Sequence, residues 1–286
     1  MKNKPDHIQG LIFATLGALA LTPDGLLVRL VGTEEWTIVF WRGVFIAIGL
    51  FIAQAFKFKK DILKRFPPNS VKEWCAAIMA SLGTMTFVMS IKHTTVANTL
   101  VILSTMSLFA ALFSMIFLRE RIALRTWIAM FFAICGIVIV FIDDVSGDDM
   151  LGKLFALACA FVTAANMTLI RSEKAMNVPS VFAWGGLLIT VPALYFAPHL
   201  AVNAQASVTL MVMGGLNAIA FVLIGAGAKR IPSPEVSLLM LLETILGPVW
   251  VWFILQEIPS QNALIGGAVV VTTLALHSFA SLKRRA

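Results

Sequence analysis

Charge is what this sequence has least of. Asp, Glu, Lys and Arg make up 13% of its 286 residues, about half the ~25% usual in soluble domains, and a water-facing surface cannot be built from so few. Histidine is scarce too, with four residues, and cysteine scarcer, with three. Cys75, Cys135 and Cys159 fall inside apolar runs and have neither metal-ligand spacing nor a disulfide-like pattern, so they read as small buried residues and no metal is expected. No His lies near a Ser or Cys in a nucleophile arrangement, and no glycine-rich phosphate loop is present. Catalytic residues, cofactors and ATP-driven work by this chain alone are therefore not expected. The net charge of +7 does not point to nucleic acid, because few of the 22 Lys and Arg interleave along the chain as a binding face would require.

What the sequence has in excess is apolar length. Residues of the AVILMFWYC set make up 59% of the chain, against ~45–50% in ordinary proteins even with Gly counted. A helix crossing ~30 Å of hydrocarbon needs roughly 20 apolar residues and must satisfy its backbone internally. Ten such runs are present, at about 8–30, 36–56, 74–91, 96–117, 125–142, 151–170, 180–197, 207–227, 235–254 and 262–281. The first resembles a signal peptide, but its apolar character resumes past Asp24 and it is expected to stay attached. The fold class expected is an all-α polytopic membrane protein. No connecting segment is long enough to fold alone.

Cytoplasmic loops retain Lys and Arg. Placing both termini in the cytoplasm puts 18 of the 22 basic residues on that side, among them Lys57, Lys72, Arg119, Arg125, Arg171, Lys229 and Arg230. The other face carries Glu34, Glu35, Asp143, Asp144, Asp148 and Asp149, with Lys92 and Lys153, while Arg29 and Arg42 lie inside the first two spans.

Residues 8–142 and 150–281 align with one another at an offset of 137 to 143. GLIFATLGALALTPDGLLVR (10–29) lies over GKLFALACAFVTAANMTLIR (152–171), pairing Gly10 with Gly152, Asp24 with Asn166 and Arg29 with Arg171. Trp41 lies over Trp184, KHTTVAN (92–98) over KRIPSPE (229–235), and Glu120 over Glu257. Five spans per copy is an odd number, so the second copy enters the membrane inverted. Inverted repeats are the architecture of secondary transporters that rock around a midplane site.

The chain also resembles, over its whole length, the ten-helix EamA branch of the drug/metabolite transporter superfamily. The residues that carry this are FWRG at 40–43, LRERIALRTW at 118–127 with Gly136 after it, and LLETILGPVWVWFILQE at 241–257 followed by Gly266 and Gly267. The fourth span departs from the pattern, with Met106 and Ser107 where a proline is common, which leaves no kink expected there. The resemblance implies a bacterial inner-membrane carrier, often an exporter of amino acids or other metabolites. Its cavity would be lined by spans 1 to 4 and 6 to 9, with spans 5 and 10 peripheral.

Ionisable side chains inside a span are costly and mark function or a partner. Asp24 and Arg42 each lie ~9–10 Å below the outer surface by helical rise, so they meet if their helices are neighbours. Such a pair serves either binding or packing. Pro23 and Gly25 flank Asp24 and should open the helix there. Glu243 lies near the bilayer midplane with no basic residue close in sequence; its carboxyl either stays neutral or exchanges a proton as the site opens, which makes it, with Asp24, the coupling candidate. Pro248 should supply a second helix break. Trp41, Trp184, Trp250 and Trp252 lie deeper than the interfacial Trp36, Trp74 and Trp127, and Trp41 and Trp250 are the aromatic candidates for a site suited to a cation or zwitterion. Asn166, the repeat mate of Asp24, is the amide candidate; Asn98 and Asn217 read more as helix-joining groups. Arg29 should reach toward Glu34 and Glu35, and His277 should serve packing.

The expectation is thus a secondary carrier exporting a small zwitterionic or cationic metabolite, amino-acid-like, with protons or a counter-substrate as coupling partners and lipid around it. Uptake of a small polar metabolite is the alternative, and a channel or scaffold a more distant one. Reporter fusions test the orientation: a cytoplasmic reporter should be active at the C-terminus and within 57–73, and a periplasmic reporter in the connections of the other face, such as 143–149 or 197–203.

Overall fold

The computed structural model describes residues 4–59, 62, 66–119, 123–142, 147–173, 176–231 and 233–283. Lys2, Lys60, Lys64, Arg65, Glu120, Arg121, Asp143, Asp144, Lys174, Arg284 and Arg285 lie outside the described residues, as do the side chains of Lys4 and Lys283. The described chain is helical, with no strand, in the order α1 (Lys4–Leu21), α2 (Asp24–Val31), α3 (Glu35–Phe58), α4 (Val71–His93), α5 (Val96–Ser104), α6 (Met106–Leu118), α7 (Leu124–Ile142), α8 (Gly147–Ser172), α9 (Val178–Phe196), α10 (Ala204–Ala228), α11 (Ser233–Leu255) and α12 (Gln261–Lys283). These make ten helical segments long and apolar enough to cross a membrane, each overlapping one of the ten apolar runs. The protein is a multi-pass membrane protein. Span 1 is α1 with α2, and span 4 is α5 with α6.

Span 1 breaks where the sequence requires it. Pro23 has no N–H to continue α1, and the Thr22 hydroxyl and N–H both turn back to the Leu19 carbonyl, at 2.9 and 3.3 Å. Span 4 breaks too, although the proline that is common there in the resembled family is replaced by Met106 and Ser107. At its middle the hydroxyls of Ser104 and Thr105 donate to the carbonyls of Val101 and Ile102, at 2.7 and 2.6 Å. Hydroxyls that compete for i−3 carbonyls bend a helix. The break expected at Pro248 is not found, because α11 runs through it from Ser233 to Leu255. One proline removes a single ladder bond, and here no neighbouring hydroxyl is recorded turning the backbone aside.

The helices gather in two groups. Span 1 packs on 8, 8 on 2 and 1 on 9; span 6 packs on 3, 3 on 7 and 6 on 4. The groups meet mainly along spans 2 and 7, with further contact of 4 on 9, and spans 5 and 10 pack on each other at one side. Exchanging every span for the one five places later reproduces this set of contacts. Small residues make the closest approaches possible, as is usual where lipid supplies no hydrophobic drive between helices. A Cβ on Gly186 of span 7 would lie 2.6 Å from the Gly43 carbonyl oxygen of span 2, and a Cβ on Gly43 would strike Gly186 in return. At the ends of the helices, a Cβ on Gly10 would meet the Arg230 and Ile231 side chains at 2.6 Å, and one on Gly152 the Thr94 nitrogen at 2.6 Å.

Large apolar side chains such as Ile48, Phe131, Ile134, Val191, Phe253 and Phe279 are exposed along the spans, as lipid contact requires. Gly43→Ala or Gly186→Ala should lower the unfolding free energy in detergent by about 1–3 kcal/mol through overpacking. Gly215→Ala, which faces open space, should not; thermal unfolding of the three variants provides the comparison.

Candidate functional site

The break at Pro23 makes Asp24 the first residue of α2, where the positive end of a helix favours a carboxylate. Arg42 of span 2 meets it with both guanidinium nitrogens, Nη1 to Oδ1 at 2.7 Å and Nη2 to Oδ2 at 2.8 Å. Asn217 of span 8 completes the group. Its Nδ2 donates to Asp24 Oδ1 at 2.7 Å and to the Met213 carbonyl at 2.9 Å, while its Oδ1 accepts from Arg42 Nη2 at 3.4 Å. The Phe87 ring of span 3 lies 5.0 Å from the guanidinium carbon. Asp24, Arg42 and Asn217 are 3%, 5% and 2% exposed, so the charges are held by one another and not by water. Leu26, Val28, Ile38, Val88, Leu210 and Met213 form the apolar wall around them.

Two groups in this region keep unused capacity. Arg42 Nε is buried without a hydrogen-bond partner. Glu243 of span 9 lies within Coulombic reach of both Asp24 and Arg42; among the described residues no hydrogen bond or ion pair reaches its carboxyl. Cys159 of span 6 is within the same reach of Arg42 and Glu243 and donates to the Gly83 carbonyl at 3.4 Å. Spans 1, 2, 3, 6, 8 and 9 therefore present polar groups to one central region.

The remaining candidates lie elsewhere. Trp41 stacks on Phe45 and donates its indole N–H to the Leu200 carbonyl at 2.9 Å, which ties it to the connection between spans 7 and 8. Trp250 donates to the Thr22 hydroxyl at 3.0 Å, two residues before Asp24, so it braces the helix break. Asn166 is buried in span 6 with its Oδ1 unpartnered, and among the described residues no hydrogen bond joins it to the Asp24 group. Trp184 bonds the Phe66 carbonyl at 3.1 Å, Asn98 bonds Thr94, and His277 joins Thr126 across spans 5 and 10.

Asn217, expected as a helix-joining amide, does join span 8 to spans 1 and 2 and is in addition a full member of the charged group; its position in mid-span just after Gly214, where Phe45 of span 2 comes close, was the available signal. Two readings from sequence are corrected. Arg29 turns away from Glu34 and Glu35, toward the Thr94 carbonyl at 2.8 Å and Glu257 at 3.5 Å. Lys153, placed at a membrane face, is fully buried against Asp149 one turn earlier, at 2.5 Å. A cavity of about 540 Å³ lies between spans 4, 9 and 10, lined by Val101, Thr244, Pro248, Trp252, Ala263 and Gly267. It is almost wholly apolar and does not include the central group. No cluster of His, Cys, Asp and Glu suited to a metal occurs among the described residues.

Breaking a buried pair by removing one partner strands the other charge. Asp24→Ala should accordingly cost about 3–5 kcal/mol of stability, and the double variant Asp24→Ala/Arg42→Met should recover most of it. Thermal unfolding in detergent measures both.

Residues 8–142 match the EamA-like transporter family. The chain is 25% identical over 183 residues to an uncharacterized transporter, YdfC, of Bacillus subtilis (strain 168), a match covering 59% of this chain and 58% of that one. The matched region thus spans less than two thirds of that relative. A protein of known crystal structure shares the fold, with a TM-score of 0.68 at 16% identity over 94% of this chain and 98% of the other. By this match residues 8–142 are an EamA-like transporter family domain.

Proposed function

We propose that this protein is a secondary carrier of the bacterial inner membrane, with both termini cytoplasmic, that exports a small zwitterionic or cationic metabolite by alternating access. The observation that carries the reading is the group Asp24, Arg42 and Asn217, buried at a helix break and facing a carboxyl, Glu243, with no bonded partner. Asp24, Arg42 and Glu243 sum to one negative charge, or to none when Glu243 holds a proton. That balance suits an ammonium group or a zwitterion better than a polyanion, since a carboxylate of the substrate can meet the free Nε of Arg42 while its cation meets Glu243. Glu243 is the coupling residue in this reading: it exchanges a proton or the substrate cation as the site opens to one side and then the other.

The two halves, 8–142 and 150–281, are taken as inverted copies. Support comes from the contacts that survive exchange of each span for the one five later, and from Gly10 and Gly152. These aligned glycines each seat against the connection aligned with the other's, 230–231 and 93–94. Two copies of opposite orientation give two equivalent packings related by exchange of the faces, which is the physical requirement for alternating access. The family match and the transporter relative agree with a transport role.

Flux in proteoliposomes tests the assignment. Amino acids and small amines should be transported with saturation. Glu243→Gln should abolish concentrative transport driven by a proton gradient while leaving exchange of substrate for substrate. Asp24→Asn should weaken apparent affinity by about tenfold or more, as expected on losing a charge-assisted hydrogen bond. Unchanged flux in both variants would remove these residues from the site.

A further inference from the structure

The short helix α2 carries Asp24 at one end and Arg29 five residues on, ~7.5 Å along its axis. It is bounded on both sides by interruptions of the helical ladder: the break at Pro23, and Gly32, which sits at φ +64° in the left-handed region. Arg29 does not belong to the central group. Its Nη2 donates to the Thr94 carbonyl at 2.8 Å, and its Nε lies 3.5 Å from Glu257 Oε2. The other oxygen of Glu257 accepts the Val96 backbone N–H at 3.1 Å, capping the first turn of α5. Beside these, Lys92 Nζ donates to the Thr33 carbonyl at 2.9 Å. The Arg29–Glu257 pair itself lies within the group of spans 1, 2, 8 and 9; the bonds its two members make to Thr94 and Val96, with that of Lys92 to Thr33, join this group to that of spans 3, 4, 6 and 7 at the face away from the termini.

We infer that Arg29 and Glu257 form the outer gate of the transport cycle and that α2 is the lever connecting this gate to Asp24. The inference rests on the alternating-access reading above. Opening the outer face separates the two helix groups and must break these ties. Both side chains are about one quarter exposed, so when the groups part water can replace the bonds that Arg29 makes to Thr94 and Glu257 to Val96, and contacts with such access contribute little to stability. A ligand that competes with Arg42 for Asp24 pulls on the site end of α2; because α2 is one continuous helix set off from its neighbours at Pro23 and Gly32, the displacement is carried to Arg29. Arg29 acts through the helix and is a positioning residue, not a ligand of the substrate.

Cys159, buried in the central region, reports which face is open. In a Cys75→Ala/Cys135→Ala background, a membrane-impermeant maleimide is applied to either side of oriented proteoliposomes and the labelling of Cys159 is followed by mass. Arg29→Gln and, independently, Glu257→Gln should raise the rate from outside about fivefold, the effect of losing a contact worth about one kcal/mol, while the rate from inside falls. Arg29→Lys should return both rates toward wild type. Asp24→Asn should raise labelling from outside as well, and the double variant Asp24→Asn/Arg29→Gln should label no faster than the faster single one, because both act on one lever.

Equal acceleration from both faces would mean general loosening and would overturn the gate. Single-variant effects that multiply in the double would overturn the lever. Wild-type labelling from inside with no change of sidedness in any variant would sink the gate and leave the carrier standing; a Cys159 unreachable from either face of the wild type would remove the carrier reading and the gate with it.

Discussion

Two opposite charges held within lipid-bounded protein set the terms for the rest of this molecule. A carboxylate and a guanidinium removed from water lose far more in hydration than a loose ion pair returns, so they survive only with near-ideal geometry and with their other bonding capacity filled. The bidentate contact between Asp24 and Arg42 supplies the geometry. The surroundings supply the remainder: Asn217 offers a donor to Asp24 and an acceptor to Arg42, and the Phe87 ring faces the guanidinium. For Asp24 to stand at a helix start, span 1 must break; Thr22 occupies the Leu19 carbonyl that the break frees, and Trp250 donates in turn to the Thr22 hydroxyl. One pair thereby fixes the relation of spans 1, 2, 3, 8 and 9.

The rest of the assembly has to hold those helices without the force that folds soluble proteins, since lipid tails are as apolar as leucine. Contact area and close approach take over. Gly43 against Gly186 brings spans 2 and 7 together at backbone distance, and this is the main seam between the two helix groups. A seam of small residues is tight but makes few directional bonds. Those between the groups sit toward the helix ends: at the face away from the termini in Arg29, Glu257, Lys92 and the backbone groups they hold, and toward the other face between Gln54 and Asn177 at 2.7 Å. In the alternating-access reading proposed above, motion about the seam is governed by these few contacts.

Much of this could be read from the sequence, and the boundary of what could be read has a physical basis. The ten spans follow from hydropathy because a spanning helix cannot hide a long polar run. The contact of Asp24 with Arg42 follows from depth, since each residue's distance from its helix end is counted in units of helical rise. Side-chain direction around the helix does not follow from depth. Trp41 lies at the right level, yet its indole points to the Leu200 carbonyl, and Arg29 lies near Glu34 in sequence but reaches Glu257, more than two hundred residues on. The break in span 4 was illegible for another reason. Prolines announce a break, whereas a Ser or Thr hydroxyl bends a helix only when it takes an i−3 carbonyl, as Ser104 and Thr105 do.

Set against this careful satisfaction of polar groups, the unsatisfied ones carry the most information. Asp24 spends its capacity fully, but Arg42 keeps a buried Nε without an acceptor and Glu243 has no bonded partner within reach of two charges. A structure whose only concern was packing would replace such a carboxyl with leucine at no cost to the fold and with a gain in burial. A donor and an acceptor left open around one region instead describe, by complementarity, the group that closes them: an acceptor for Arg42 and a cation or a proton for Glu243. When that group arrives it competes for the same charges that hold α2 in place. In the carrier reading proposed above, binding and the release of the outer face are then two consequences of one exchange of partners, and that reading requires no separate signal between site and gate.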